Sequence, residues 1–308
     1  MITVLAGGVG AARMLAGLRQ VVDPSSITAI VNVGDDVDLH GLHVSPDLDT
    51  CTYTLAGAIN PETGWGLVGE TWHAMEALER YGGLTWFRLG DRDLATHLYR
   101  TQRRAEGAPL STVTAEITRA WGLSERLLPV TDDRVRTVVT LTDGTRLPFQ
   151  DYFVRLRHDV PITGVEVEGA ASARPAPGVL EALATATTVV VAPSNPIVSI
   201  GPLFEVPGVR DALVARRDRT VAVSPIIGGA ALKGPADRML RELGHDVSVV
   251  GVARLYAPLA SVLVIDEVDA ALADAVAAAG VRPVVAPTVM RTPDVAAALG
   301  RTVLEVWS

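Results

Sequence analysis

The sequence predicts an α/β protein: a doubly wound, mostly parallel, Rossmann-like sheet that carries a helical insertion and a β-hairpin. Three observations support this class. Short β-branched runs, each followed by a loop of glycine, serine or acidic residues and then a helical pattern, recur along the chain. From Pro61 to Trp121 the strand signal vanishes and helical spacing takes over. An alternating run then turns at Thr142-Asp143-Gly144-Thr145 and comes back. The expected division is a nucleotide-binding core made of residues 1–60 and 161–308, with a mainly helical insertion plus hairpin at 61–160.

Ile2 to Leu5 is a short apolar strand, Gly7-Gly8-Val9-Gly10 a tight loop, and Ala11 to Gln20 a helix with Met14, Leu15 and Leu18 at helical spacing. Glycines in such a loop let backbone N–H groups approach a phosphate at the positive end of a helix, which makes Gly8 and Gly10 candidate phosphate binders. The full dinucleotide fingerprint is not met, because Arg13 stands where the third glycine belongs, and the P-loop lysine is missing as well. A plain tight turn is the competing reading. Thr28 to Val33 reads as the second parallel strand. Helices are expected at Gly66–Tyr81, Asp91–Arg104 and Leu110–Trp121, with Asp91 as an N-cap, and Trp86, Phe87 and Arg88 just before it are suited to stack on and bond a planar ligand. Val135–Leu141 and Arg146–Phe149 form the hairpin, and Glu166–Pro177 reads as a loop leading to a helix over Gly178–Ala186. Thr187–Ala192 and Thr220–Val223 have the continuous β-branched character of strands buried on both faces. Val262–Asp266 and Arg282–Ala286 add further strands, and Glu267–Ala279 a helix.

The loop after the second strand is crowded with acids. Asp35, Asp36, Asp38, Asp47 and Asp49 fall within one short segment. Carboxylates this close raise one another's pKa unless a cation or hydrogen-bond donors hold the charge, and an oxygen-rich site of this kind suits Mg²⁺ through one or two carboxylates plus phosphates. Turn formation and helix capping explain aspartates in loops equally well. Ser194, Asn195, Ser199 and Gly201 after one core strand, and Ser224, Gly228 and Lys233 after the next, lie in loops that can offer N–H groups, hydroxyls and one point charge to phosphates; ordinary strand-to-helix connections are the alternative. His40 and His43, near the acids, are read as solvated or structural.

A chain of 308 residues that is 48% hydrophobic can bury a sizeable core without a disulfide or metal staple. Its formal net charge of −8 argues against a nucleic-acid or membrane-surface binder. The single Cys51 reads as a small buried hydrophobe in a reducing compartment. No signal peptide and no long apolar run are visible, so a cytoplasmic location is expected.

With these loops located, the chain resembles the 2-phospho-L-lactate transferase (CofD) family, including its actinobacterial phosphoenolpyruvate transferase (FbiA) branch. The matching stretches are Gly7–Gly10, Ser45–Thr50, Leu89–Asp93 with Ala95–His97, Pro193–Ile197 with Ser199–Pro202, and Ser224–Gly228. The resemblance implies the transfer step of coenzyme F(420) biosynthesis. A guanosine-diphosphate-activated three-carbon acid would pass its phosphoryl-linked group to the terminal ribityl hydroxyl of the deazaflavin Fo, with GMP leaving and Mg²⁺ required. It implies that Asp47 and Asp49 hold the metal or orient the hydroxyl, and that Asp49, Arg88 and Asp91 contact Fo. The Gly8/Gly10, Ser194–Gly201 and Ser224–Lys233 loops take the nucleotide, and a homodimer is expected. Two other readings stay open: a nucleotide-sugar or NAD-dependent enzyme on the same sheet, and a regulatory nucleotide-sugar-binding protein of the YvcK type.

Overall fold

The structure, a computed structural model, describes residues 1–307. Among the described residues, seven strands form one parallel sheet: β1 (Ile2–Ala6), β2 (Ile27–Val31), β3 (Arg126–Pro129), β4 (Thr188–Val191), β5 (Thr220–Val223), β6 (Val262–Ile265) and β7 (Arg282–Val285). Their spatial order is β7-β6-β5-β4-β1-β2-β3, every pair parallel. β1 is central: Val4 faces Ala29 of β2 on one side and Val190 of β4 on the other. Residues of β1, β2, β4, β5 and β6 are buried on both faces, which is why these segments read as unbroken β-branched runs. Each fully buried Val, Leu or Ile contributes roughly 1.5–3 kcal/mol over an exposed one.

Helices cover the sheet. α1 (Gly8–Leu18) packs on α2 (Pro46–Leu55) and on the last helix, Pro293–Glu305. That last contact is backbone-close: a Cβ on Gly17 would stand 2.2 Å from the Ala296 carbonyl oxygen. The helical segment contains α3 (His73–Arg80), α4 (Asp93–Ala105) and α5 (Leu110–Ala120). Its two leading helices are capped by exchange. Asp91 accepts N–H bonds from His73 and Ala74 at 2.9 and 3.0 Å and so caps α3, while Glu70 accepts those of Arg92 and Asp93, both at 2.8 Å, and caps α4. Asp91 was expected to cap the helix that follows it in sequence; the carboxylate reaches back instead.

The expected 61–160 boundary is crossed twice. Arg126–Pro129, a short segment without β-branched residues and ending in proline, leaves the helical region to form the edge strand β3 beside β2, a place where proline costs no ladder bond. The hairpin Arg136–Leu141/Arg146–Pro148 is present and gains a third antiparallel strand, Ile162–Glu168, from beyond the boundary. A register shift between Thr140 and Leu141 falls opposite its start, at Ile162–Gly164, and its end, Glu166–Glu168, occupies part of the segment that reads as loop in the sequence.

Candidate active site

In a sheet of this order the chain leaves β1 for β2 on one side and later continues at β4 on the other, which opens a crevice at the carboxyl ends of β1 and β4. The loops Gly7–Gly10 and Pro193–Ser199 form its two lips, and the cleft there has a volume of about 630 Å³. Glycine is dictated by backbone approach. A Cβ on Gly10 would lie 2.2 Å from the Pro193 carbonyl oxygen and one on Gly7 2.7 Å from that of Ser199. Gly8 is needed for a different reason, its φ of +69°. Gly7, at the N-cap of α1, has no side chain to cap the helix, so apart from the Gly8 N–H that bonds Asp47 the first-turn N–H groups are left to an anion.

Asp47 and Asp49, two positions apart on the first turn of α2, point into different surroundings because that spacing turns a helix by roughly 200°. Asp47 accepts from Asn32 Nδ2 at 3.0 Å. Burial pushes its carboxyl up to about 7, with the charge of Asp36 adding and the hydrogen bonds of Asn32 and Gly8 opposing. Asp35, also buried, is driven upward by burial and then by Asp47. Asp49 is instead bound by the buried Arg100 guanidinium, with His97 Nδ1 3.7 Å from its Oδ2. Burial raises its carboxyl, and the Arg100 and His97 charges pull it back. Asp47 and Asp49 thus meet different neighbours, and among the described residues Asp49, Asp93 and His97 form a compact group, with one oxygen or nitrogen from each mutually within 4.8 Å.

α4 builds this second group. Asp93, His97 and Arg100 recur at spacings of four and three and share one helix face. His97 Nε2 lies 3.3 Å from Asp93 Oδ2, Tyr53 donates to Asp93 Oδ1 at 2.5 Å, and Arg100 also donates to the His43 carbonyl at 3.2 Å. Against the cost of burial, hydrogen bonds from His97 and Tyr53 hold Asp93 below the usual carboxylate range. Asp49 lines the cleft, and its Oδ2 is buried without a hydrogen-bond partner.

Of the other sequence candidates, Gly8, Gly10, Arg88, Ser194, Asn195, Ser199, Ser224 and Lys233 line the cleft with Asp47 and Asp49. They are not equally free. The Ser194 hydroxyl is buried with no partner. Asn195 spends its side-chain oxygen on the N–H groups of Ile197 and Val198, and Ser224 closes a local turn with Ile226. Lys233 Nζ donates across the mouth to the Thr63 carbonyl at 3.3 Å. Three candidates fall outside the lining: Gly201 begins a short helix, Gly228 donates its N–H to Asp269, and Asp91 is consumed as the α3 cap. Phe87 reaches the cleft, whereas Trp86 lines a neighbouring pocket. His40 is exposed, and His43 is tied to Asp36 at 2.7 Å. Asn32, Tyr53, His97 and Arg100 were not singled out from sequence, although the Asp93/His97/Arg100 spacing was readable.

The CofD family model, described as 2-phospho-L-lactate transferase CofD, matches residues 2–301. The chain belongs to that family. It is a transferase of the family that acts in coenzyme F(420) biosynthesis. Among its relatives is a phosphoenolpyruvate transferase of Streptomyces griseus, 47% identical over 99% of this chain and 98% of that one. Another is the phosphoenolpyruvate transferase of Mycolicibacterium smegmatis, 42% identical over 99% and 98%. A solved structure of a UPF0052 family member from Bacillus halodurans shares the fold, with a TM-score of 0.63 at 18% identity over 99% of this chain and 98% of that one. Among the described residues no helix is long and apolar enough to cross a membrane.

Proposed function

We propose that this transferase moves a phosphoenolpyruvyl group from a guanosine-diphosphate-activated donor to the terminal ribityl hydroxyl of the deazaflavin Fo, releasing GMP. The observation that carries the reading is the meeting, in one cleft, of anion-binding parts and carboxylates. The α1 N-terminus and the unpartnered Ser194 hydroxyl face the phosphate side, and Asp47 and Asp49 stand on the wall. The donor is read as enolpyruvyl because the relatives aligned over nearly the whole chain bear that name. A homodimer belongs to the same reading.

In the reaction the acceptor oxygen attacks the phosphorus that bears the three-carbon acid. The bond from that phosphorus to the bridging oxygen breaks, GMP departs with that oxygen, and the hydroxyl proton is lost. Such a transfer needs positioning and charge stabilisation more than covalent help. The glycine loop and Ser194 would hold the diphosphate. Asp49, anchored by Arg100 on one oxygen and open on the other, would orient the hydroxyl. Asp47, on the same turn of α2, would take the hydroxyl proton. The residues present fit a hard cation such as Mg²⁺, since Asp49 Oδ2 is buried without a hydrogen-bond partner and the Asp47 carboxyl is pushed up by burial with no cationic side chain to offset it. Asp47 and Asp49 would hold it together with the donor's phosphates. Bound there, it would neutralise charge developing on the transferred group.

The test is direct. Purified protein, Fo, the guanosine-diphosphate-activated enolpyruvyl donor and Mg²⁺ should yield GMP and a phosphodiester of Fo in equal amounts by mass spectrometry, and a chelator should stop the reaction. GMP release that does not depend on Fo would refute the acceptor assignment.

A further inference from the structure

The turn between Ile59 and Leu67 is built rigidly, yet it displays a tryptophan. A bridge between Ile59 and Leu67 closes its base. Asn60 N–H donates to the Gly66 carbonyl at 3.0 Å, and Gly64 N–H donates to the Asn60 carbonyl at 2.9 Å. Trp65 sits between Gly64 and Gly66, whose φ values of +76° and +69° admit a side chain only with strain. Thr63 Oγ1 donates to the Trp65 carbonyl at 2.6 Å, and the Lys233 ammonium grips the Thr63 carbonyl from the opposite loop. A turn pinned this way could have tucked its indole inward. Instead Trp65 lines the cleft and is 47% exposed.

An aromatic side chain of this size covers 150–250 Å² when buried, so exposing it on a pre-ordered turn forgoes a gain that only a partner would restore. What stands behind it indicates the partner's chemistry. Trp72 meets Trp65 edge-on, with ring centroids 6.4 Å apart and planes at 66°, and the Arg88 guanidinium lies over the Trp72 ring at 4.5 Å. A T-shaped neighbour covers at most one face of the Trp65 indole and leaves the other to a flat ligand. Both braces come from the helical segment and not from the sheet-edge loops that carry the phosphate donors.

We propose that Trp65 is an acceptor-binding residue whose indole stacks on the planar ring system of the deazaflavin, held in place by Trp72 and Arg88. The inference rests on the function proposed above. Stacking costs little conformational entropy where hydrogen bonds already hold the turn that carries the indole.

The experiment titrates Fo, followed by its own fluorescence, and GDP, followed by calorimetry, into the wild type, Trp65→Ala and Trp65→Phe. Trp65→Ala should bind Fo about 10- to 100-fold more weakly, the scale of one lost aromatic stack, with GDP affinity unchanged. Trp65→Phe should recover most of the Fo affinity. Equal Fo binding by Trp65→Ala and wild type overturns the proposal, and so does a loss that falls on GDP, which would make the indole a nucleobase platform. A wild-type protein that binds GDP and no Fo removes the acceptor assignment itself, and that result is distinguishable from either of the others.

Discussion

Replacing Asp47 with asparagine should make the protein more stable at alkaline pH, although the residue belongs to the proposed reaction machinery. Burial, then the Asp36 charge, pushes the Asp47 carboxyl from its ordinary 3.8 up to about 7, even with the Asn32 and Gly8 hydrogen bonds opposing. Between those values the folded protein keeps a proton that the unfolded chain has released. Stability is therefore lost as pH rises through that window and is flat above it. At about 1.4 kcal/mol per pH unit, the interval from 3.8 to about 7 makes a charged Asp47 cost about 4 kcal/mol above pH 8. Asparagine keeps an oxygen to accept the Asn32 N–H bond and never ionises. Relief of Asp35, whose carboxyl Asp47 also pushes upward, acts in the same direction. Equilibrium urea unfolding of Asp47→Asn and wild type, with chelator present and no nucleotide, should show the variant more stable by up to about 4 kcal/mol at pH 8. The difference should shrink as pH falls towards 4. A variant no more stable than wild type at pH 8, or a difference independent of pH, would refute the reasoning. Turnover should fall at the same time, the usual trade where an active site holds uncompensated charge.

Asp49→Asn should act in the opposite sense on stability. It leaves the buried Arg100 without its partner, an expected loss of about 3–5 kcal/mol measurable by the same unfolding experiment, and it should reduce turnover at least ~100-fold; unchanged stability would mean that the ion pair is not formed in solution. Lys233→Ala should weaken GDP, and Arg88→Ala should weaken Fo, each by about 1.5–3 kcal/mol. Calorimetry of both ligands on both variants checks this, and an Arg88→Ala defect confined to GDP would place the deazaflavin elsewhere. Gly10→Ala forces a methyl group against the Pro193 carbonyl and should cost about 1–3 kcal/mol, seen as a lower melting temperature; an unchanged melt would show that the two lips do not approach as closely as described.

Much of the fold was legible because burial on both faces writes itself into composition. Thr188–Val191 and Thr220–Val223 could hardly be anything but interior strands. β3 was missed for the converse reason: Arg126-Leu-Leu-Pro129 is short, lies at the sheet edge, and owes its conformation to pairing with β2, its one neighbour in the sheet. The phosphate-side loops were located correctly as loops, but sequence could not tell which of their polar groups would remain free. Asn195 and Ser224 are spent on their own turns, while Ser194, of the same kind and in the same loop as Asn195, keeps an unpartnered hydroxyl.

The carboxylates show where linear density stops being informative. Five aspartates in one segment suggested charges sharing one cation, yet a helix separates neighbours at i and i+2 and unites residues at i, i+3 and i+4. Asp47 and Asp49 therefore meet different neighbours. Asp49 found its partners on α4, some fifty residues along the chain, where Asp93, His97 and Arg100 were already aligned on one face. Asp91 caps α3 and not the helix that follows it, because the orphan N–H groups within its reach are those of His73 and Ala74. The result is a wall with two carboxylates of different character. Asp49 has its charge compensated by Arg100 and is suited to orient; Asp47 is nearly uncompensated and is suited to accept a proton. In the proposed transfer to a hydroxyl these would be two separate roles, and one turn of α2 would supply both by pointing two identical side chains into unlike surroundings.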